Sequence, residues 1–191
     1  FNTPLHAACY KQNFDSVKML LDKGSKIDAV NINNKTALYF SCYGLSMDIF
    51  DVVMSHKPNV NICSNEGISP LQLACIKNMK IKVIKLLRAG ALVNHFGKTG
   101  ETALFISATE AHCPCIPEIL IQYGADVNFK YLDGRTPLDD ACLNGRTDIA
   151  RKLIQYGGTH KADFHLSRMF APSAFLQLTA NSTKVFFINS D

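Results

Sequence analysis

Apolar residues fall along this chain in short clusters of helical spacing, parted by polar gaps rich in glycine and asparagine. The stretch from Asp133 to Gly158 shows the unit. Leu138, Ala141 and Cys142 share one helical face, as do Ile149, Leu153 and Ile154 after a break at Asn144-Gly145. Thr136-Pro137 predicts the start of the first helix, with Thr as cap and Pro at the first helical position. Asn144-Gly145 predicts its end through a left-handed residue, and Asp148 suits the positive end of the second helix dipole. Gly157-Gly158 closes the pair, and Asp133-Gly134 supplies a turn before it. Two helices this short cannot bury their apolar faces alone, so their stability has to come from neighbours.

The unit recurs. Thr3-Pro4-Leu5, Thr36-Ala37-Leu38, Ser69-Pro70-Leu71, Thr102-Ala103-Leu104 and Thr136-Pro137-Leu138 are spaced by 33, 33, 33 and 34 residues. Gly24, Lys57, Gly90, Gly124 and Gly157 follow at 33, 33, 34 and 33. Two combs with one period predict a stacked solenoid, with repeats at about 1–33, 34–66, 67–99, 100–133 and 134–161. Three departures stand out. Lys57-Pro58 replaces the usual Gly-Ala, so the second helix of repeat two is expected to stop differently. Ile81 stands where other repeats offer an acidic cap. Glu110 to Pro117 carries an extra residue and two prolines, expected to shorten or delay a helix.

Thr3-Pro4-Leu5-His6-Ala7-Ala8 and Gly124-Ala125-Asp126-Val127-Asn128 resemble the ankyrin repeat, and the resemblance covers residues 1–161. It implies an all-α ankyrin-repeat solenoid of stacked helix pairs with β-hairpin fingers. It also implies a concave binding surface made of fingertips and the outer side of the first helices. By register, that surface takes Tyr10, Lys11, Tyr43, Gly44, Ile76, Lys77, Thr109, Glu110, Leu143 and Asn144 from the helices. The fingertips add Asn31, Ile32, Asn33, Lys35, Asn65, Glu66, Ile68, Lys98, Thr99, Glu101, Tyr131, Leu132, Asp133 and Arg135. Tyr10, Tyr43, Ile76 and Leu143 make an interrupted apolar row where solubility alone would place small polar residues. Such a row suits either a hot-spot stripe or side chains packed on the adjacent helix.

Composition adds limits. With 47% hydrophobic and 19% charged residues, disorder is disfavoured. No apolar run approaches the roughly 18 residues of a membrane span. Phe1 falls within the first finger, which leads us to expect a piece of a longer protein. The net charge of +4 is uneven: no acid lies between Glu66 and Glu101, where Lys77, Lys80, Lys82, Lys85, Arg88 and Lys98 occur. This basic centre reads either as an ordinary solvated face or as a site for an acidic partner segment. Nucleic-acid binding is not expected without a denser basic stripe.

Cys9, Cys42, Cys75 and Cys142, four of seven cysteines, each lie six residues after their repeat's Thr or Ser. One small slot on the first helix accounts for them as packed, reduced thiols. Equivalent positions in adjacent repeats are roughly 10 Å apart, beyond disulfide reach. An intracellular setting follows. His112, Cys113 and Cys115 lack a second ligand pair, so no metal is expected. Asp139 and Asp140 point about 100° apart on a helix and do not converge as an acid–base pair. With no phosphate loop or nucleophile elbow either, neither catalysis nor a cofactor is expected. Sequons at Asn34 and Asn181 are read as coincidence, because Thr36 is a helix cap. Residues 162–191 form a C-terminal extension, read as a degenerate capping repeat or as an unstructured or partner-bound tail; they carry no cysteine, which argues against a ubiquitin-ligase box.

The expected function is a non-catalytic protein–protein interaction module, monomeric in isolation. Its partner is another protein or peptide, and it acts as scaffold, adaptor or substrate receptor. A masking inhibitor of a transcription factor or kinase, and the recognition arm of a larger enzyme or channel, are the alternatives.

Overall fold

Each repeat begins the same way. The hydroxyl of Thr3, Thr36, Ser69, Thr102 or Thr136 accepts the backbone N–H of the third residue beyond it, at 3.3, 3.1, 3.2, 3.2 and 3.3 Å. These caps open the first helices: α1 (Pro4–Tyr10), α3 (Ala37–Tyr43), α5 (Pro70–Ile76), α7 (Ala103–Glu110) and α9 (Pro137–Leu143). The second helices are α2 (Phe14–Asp22), α4 (Met47–Ser55), α6 (Lys80–Arg88), α8 (Cys115–Gln122) and α10 (Thr147–Gln155). This computed structural model describes residues 1–110 and 115–159. The expectations for His112 and Cys113, for Asn181, and for a cap in 162–191 concern residues outside those described.

First helices pack on first helices along the array, more closely than second helices pack on one another. The array is therefore tighter on the first-helix side, which is the inner wall of a groove. Cys9, Cys42, Cys75 and Cys142 are all buried between the layers, and Ala108 fills their slot in repeat four. Burial pushes the thiols of Cys9, Cys42 and Cys142 up to about 12.

The fingers are tight turns. Asn31, Ser64 and Tyr131 each donate their N–H to the carbonyl of Lys35, Ile68 or Arg135, at 3.1, 3.0 and 2.8 Å. One isolated bridge, Phe96 to Thr102, is the sole strand-like pairing among the described residues. Asn34 takes a left-handed conformation (φ 56°) at the place where the other tips use glycine. Its side-chain amide donates to the Cys63 carbonyl at 2.7 Å, and Thr36 is buried.

The joints between repeats share one device. The side chains of Asp28, Asn61, Asn94 and Asn128 accept the N–H of Asn59, Leu92, Asp126 and Thr159, at 2.9, 2.9, 2.9 and 2.7 Å. The three asparagines also donate to the carbonyls of Gly90, Gly124 and Gly157. Each amide thus satisfies one donor and one acceptor of the following repeat.

One expectation is met in part and another is corrected. Lys57 keeps the left-handed backbone (φ 52°) that Gly24, Gly90, Gly124 and Gly157 adopt, but Pro58 has no N–H, so α4 lacks the bond that Ser25, Ala91, Ala125 and Gly158 donate back to Leu20, Leu86, Leu120 and Leu153. Lys82 does not belong to a basic surface. It is fully buried, at the register of Ile49 and Ile149, with Nζ 2.8 Å from the Ser41 carbonyl and 2.5 Å from that of Gly44. The cause lies in α3. Its C-cap Gly44 is extended (φ −76°, ψ 162°), whereas the C-caps Lys11, Lys77 and Asn144 of α1, α5 and α9 have ψ of −2°, 2° and 9° and are followed by left-handed Gln12, Asn78 and Gly145. The last carbonyls of α3 are left without the usual partners, and a cation from the next repeat suits that end of the dipole. Arg146 does the same for α7, donating to the Thr109 carbonyl at 3.2 Å.

Candidate partner-binding groove

The inner wall keeps its apolar row in solvent. Tyr10, Tyr43, Ile76 and Leu143 are 58%, 50%, 37% and 42% exposed. They are also partly supported. Tyr10 meets Phe40 edge-on, with centroids 6.0 Å apart, and Phe40 also contacts His6 and Tyr39. Tyr10 is thus packed on a neighbouring ring and half in solvent at once. Thr109 is half-buried with its hydroxyl on the Ile106 carbonyl, and Asn144 donates to the Asp140 carbonyl. Gly44 offers the groove no side chain; a Cβ there would collide with the Gln12 amide, which accepts the Ser46 N–H at 3.0 Å. The side chain of Glu110 lies outside the described residues.

Three lysines lie over tyrosine rings along the first half of this wall. Lys77 is 4.3 Å from the Tyr43 centroid, Lys35 5.0 Å from that of Tyr39, and Lys11 5.9 Å from that of Tyr10. Glu66 stands between Lys35 and Lys98. A hydrogen bond from Ser64, with help from those two cations, holds its carboxyl below the ordinary range.

At the fingertips, Ile32 and Leu132 project, 77% and 78% exposed, and Asn33, Lys98 and Asp133 are exposed beside them. Ile68 and Tyr131 were expected to project and do not. Ile68 is half-buried against the core. Tyr131 stacks on Phe105 with centroids 4.7 Å apart and 15° between planes. Arg135 lies over both rings and pairs with Asp133 at 2.6 Å and with Asp140 at 2.5 Å. Asp140 is buried, which pushes its carboxyl up while Arg135 pulls it down. Asp139 instead turns back to accept the Thr136 N–H at 2.8 Å, so the two carboxylates diverge. Glu101 is half-buried, with Thr99 donating to its carboxylate at 3.2 Å.

Sequence reasoning missed Phe40, Tyr39 and Phe105, which connect the groove to the core. Tyr39 and Phe105 take the register of His6, and an aromatic in a polar capping slot was the available signal. The basic centre is also weaker on the outer wall than its composition suggests. Lys85 pairs with Asp51 at 2.5 Å, one repeat away, as Lys152 does with Glu118 at 3.0 Å.

A tight inner layer of short capped helices, half-exposed aromatic side chains and variable fingertips define a stacked-repeat binding module. The chain belongs to the ankyrin-repeat family: the family model described as ankyrin repeats (3 copies) matches residues 5–96 and 78–165. The chain is similar to the human transient receptor potential cation channel subfamily A member 1, 27% identical over 82% of this chain and 15% of that protein. It is 29% identical to the human ankyrin repeat and SOCS box protein 16, over 80% of this chain and 36% of that protein. It is 26% identical to the chicken nuclear factor NF-kappa-B p105 subunit, over 82% of this chain and 16% of that protein. The chain therefore spans about a third or less of the length of these relatives.

Proposed function

We propose that this chain is a non-catalytic interaction module that holds a protein or peptide partner in its groove and against its fingertips. The observation that carries this is the row of Tyr10, Tyr43, Ile76 and Leu143, held half out of the core at one register through the stack. Aromatic and aliphatic side chains so placed supply anchors without a folding transition. The packed, protonated thiols suit an intracellular, reducing setting. No helix among the described residues is long and apolar enough to cross a membrane. A monomer acting as scaffold, adaptor or substrate receptor is the first reading.

The recognition arm of a larger protein is the second, favoured by the small share of the channel and of the p105 subunit that the chain spans. Affinity capture tests the groove. The triple variant Tyr10→Ala, Tyr43→Ala, Ile76→Ala should lose the partner that the parent chain retains, by about thirtyfold in affinity or more. The variant Lys18→Ala, at an exposed position of α2, should retain it. A triple variant that keeps its fold and still captures every partner would overturn the groove assignment.

A further inference from the structure

The tyrosine-borne lysines indicate what the groove takes. Resting on the groove assignment above, we propose that repeats one to three bind an extended segment of a partner protein in which carboxylates flank an apolar side chain. Lys11, Lys35 and Lys77 each lie over a tyrosine ring, and none of the three makes a direct ion pair with a carboxylate of the described residues, although Lys35 acts on Glu66 at longer range. On the outer wall, by contrast, Lys85 and Lys152 already have carboxylate partners one repeat away. A ring face positions an ammonium group and removes water from one side of it, but it does not neutralise the charge. An incoming carboxylate completes the shell with a charge-assisted hydrogen bond.

Between these cations stand the exposed parts of Tyr10, Tyr43 and Ile76, which would seat the apolar residue. Glu66 is the one acid among the groove positions named for these repeats, and Lys35 and Lys98 flank it. The charge then reverses. In repeats four and five, Asp133 and Asp140 share the single cation Arg135 and Glu101 adds a further negative charge near Asp140, so an acidic segment is repelled there and confined to the first half. Helices packed roughly 10 Å apart put Lys11 and Lys77 about 20 Å from each other. That matches about six extended residues, with carboxylates about three residues apart.

Selection of random dodecapeptides on the intact chain, followed by fluorescence anisotropy on the enriched peptides, tests this. Enriched sequences should carry two or more Asp or Glu around Tyr, Phe, Leu or Ile, and should bind more weakly as salt rises. Lys77→Glu should weaken them by at least about tenfold, and a peptide with the facing acid changed to Lys should recover the loss. Lys18→Glu should leave affinity unchanged. Enriched peptides without excess acid that are still lost on Tyr43→Ala would overturn the charge pairing and leave the groove standing. Acidic peptides indifferent to both Lys77→Glu and Tyr43→Ala would overturn both, provided circular dichroism shows the variants folded. A library with no enriched peptide, or an oligothymidine dodecamer binding more tightly than any peptide, also overturns the proposal; the latter would assign this wall to single-stranded nucleic acid.

Discussion

His6, Gln72 and Asp139 occupy one register position in three repeats and do the same work with different chemistry. His6 accepts the Thr3 N–H through Nδ1 at 3.1 Å, which places the proton on Nε2, 2.8 Å from the Ala29 carbonyl. Gln72 accepts from Ser69 at 2.8 Å and donates to the Glu101 carbonyl at 2.5 Å. Asp139 accepts from Thr136 but has no N–H to reach onward. Burial holds His6 below its ordinary 6.5, in the neutral form this geometry requires. The unfolded chain therefore takes up the proton first. The stabilisation is fully present above 6.5 and is lost as pH falls below it. His6→Gln should preserve both bonds, and its urea midpoint should fall less on acidification than that of the parent chain. Equal acid sensitivity in the two proteins would show that His6 is not the group responsible.

Lys82 gives the other prediction at this scale. Lys82→Met keeps the volume but leaves the Ser41 and Gly44 carbonyls without their donor. Relief of the buried charge offsets part of the loss, and a net destabilisation of about 1 kcal/mol or more is expected in chemical denaturation. A variant as stable as the parent would mean that the ammonium is not needed to terminate α3.

Among the elements, helix ends hold most of what the repeat pattern concealed. Lys57 carries a left-handed backbone at a position that four repeats give to glycine. A side chain there costs about 1 kcal/mol relative to glycine, although glycine gives part of that back by loosening the unfolded chain. Lys57→Gly should therefore raise the unfolding midpoint, by a few tenths of a kcal/mol to about 1 kcal/mol. A lower midpoint would show that the lysine side chain makes a stabilising contact. The helices themselves were legible because caps and apolar spacing are local. How α3 and α7 end was not, because the groups that finish them, Lys82 and Arg146, come from the following repeat. The register did hold one clue: a lysine aligned with Ile49 and Ile149 occupies a core position, although a window around it shows only an acid-free basic run.

For the molecule as a whole, the period carried the architecture, and the comb of Asp28, Asn61, Asn94 and Asn128 that joins neighbouring repeats was visible at the same spacing. The groove was legible in part. Tyr10, Tyr43, Ile76 and Leu143 lie where the first-helix register puts them, whereas Ile68 and Tyr131 turn inward because packing and the Phe105 stack decide their orientation. The surface has half-exposed aromatic rings and lysines without a direct ion-pair partner among the described residues along one half, and carboxylates toward the other, which is the shape and charge the proposed groove would offer a partner. The most direct measurement places a photoreactive phenylalanine analogue at position 43 in one sample and at exposed position 18 in another, each irradiated with a captured partner. The groove account predicts a covalent adduct from position 43 and none from position 18. An adduct from position 18 alone, with both proteins folded, would put the partner on the outer wall and contradict it.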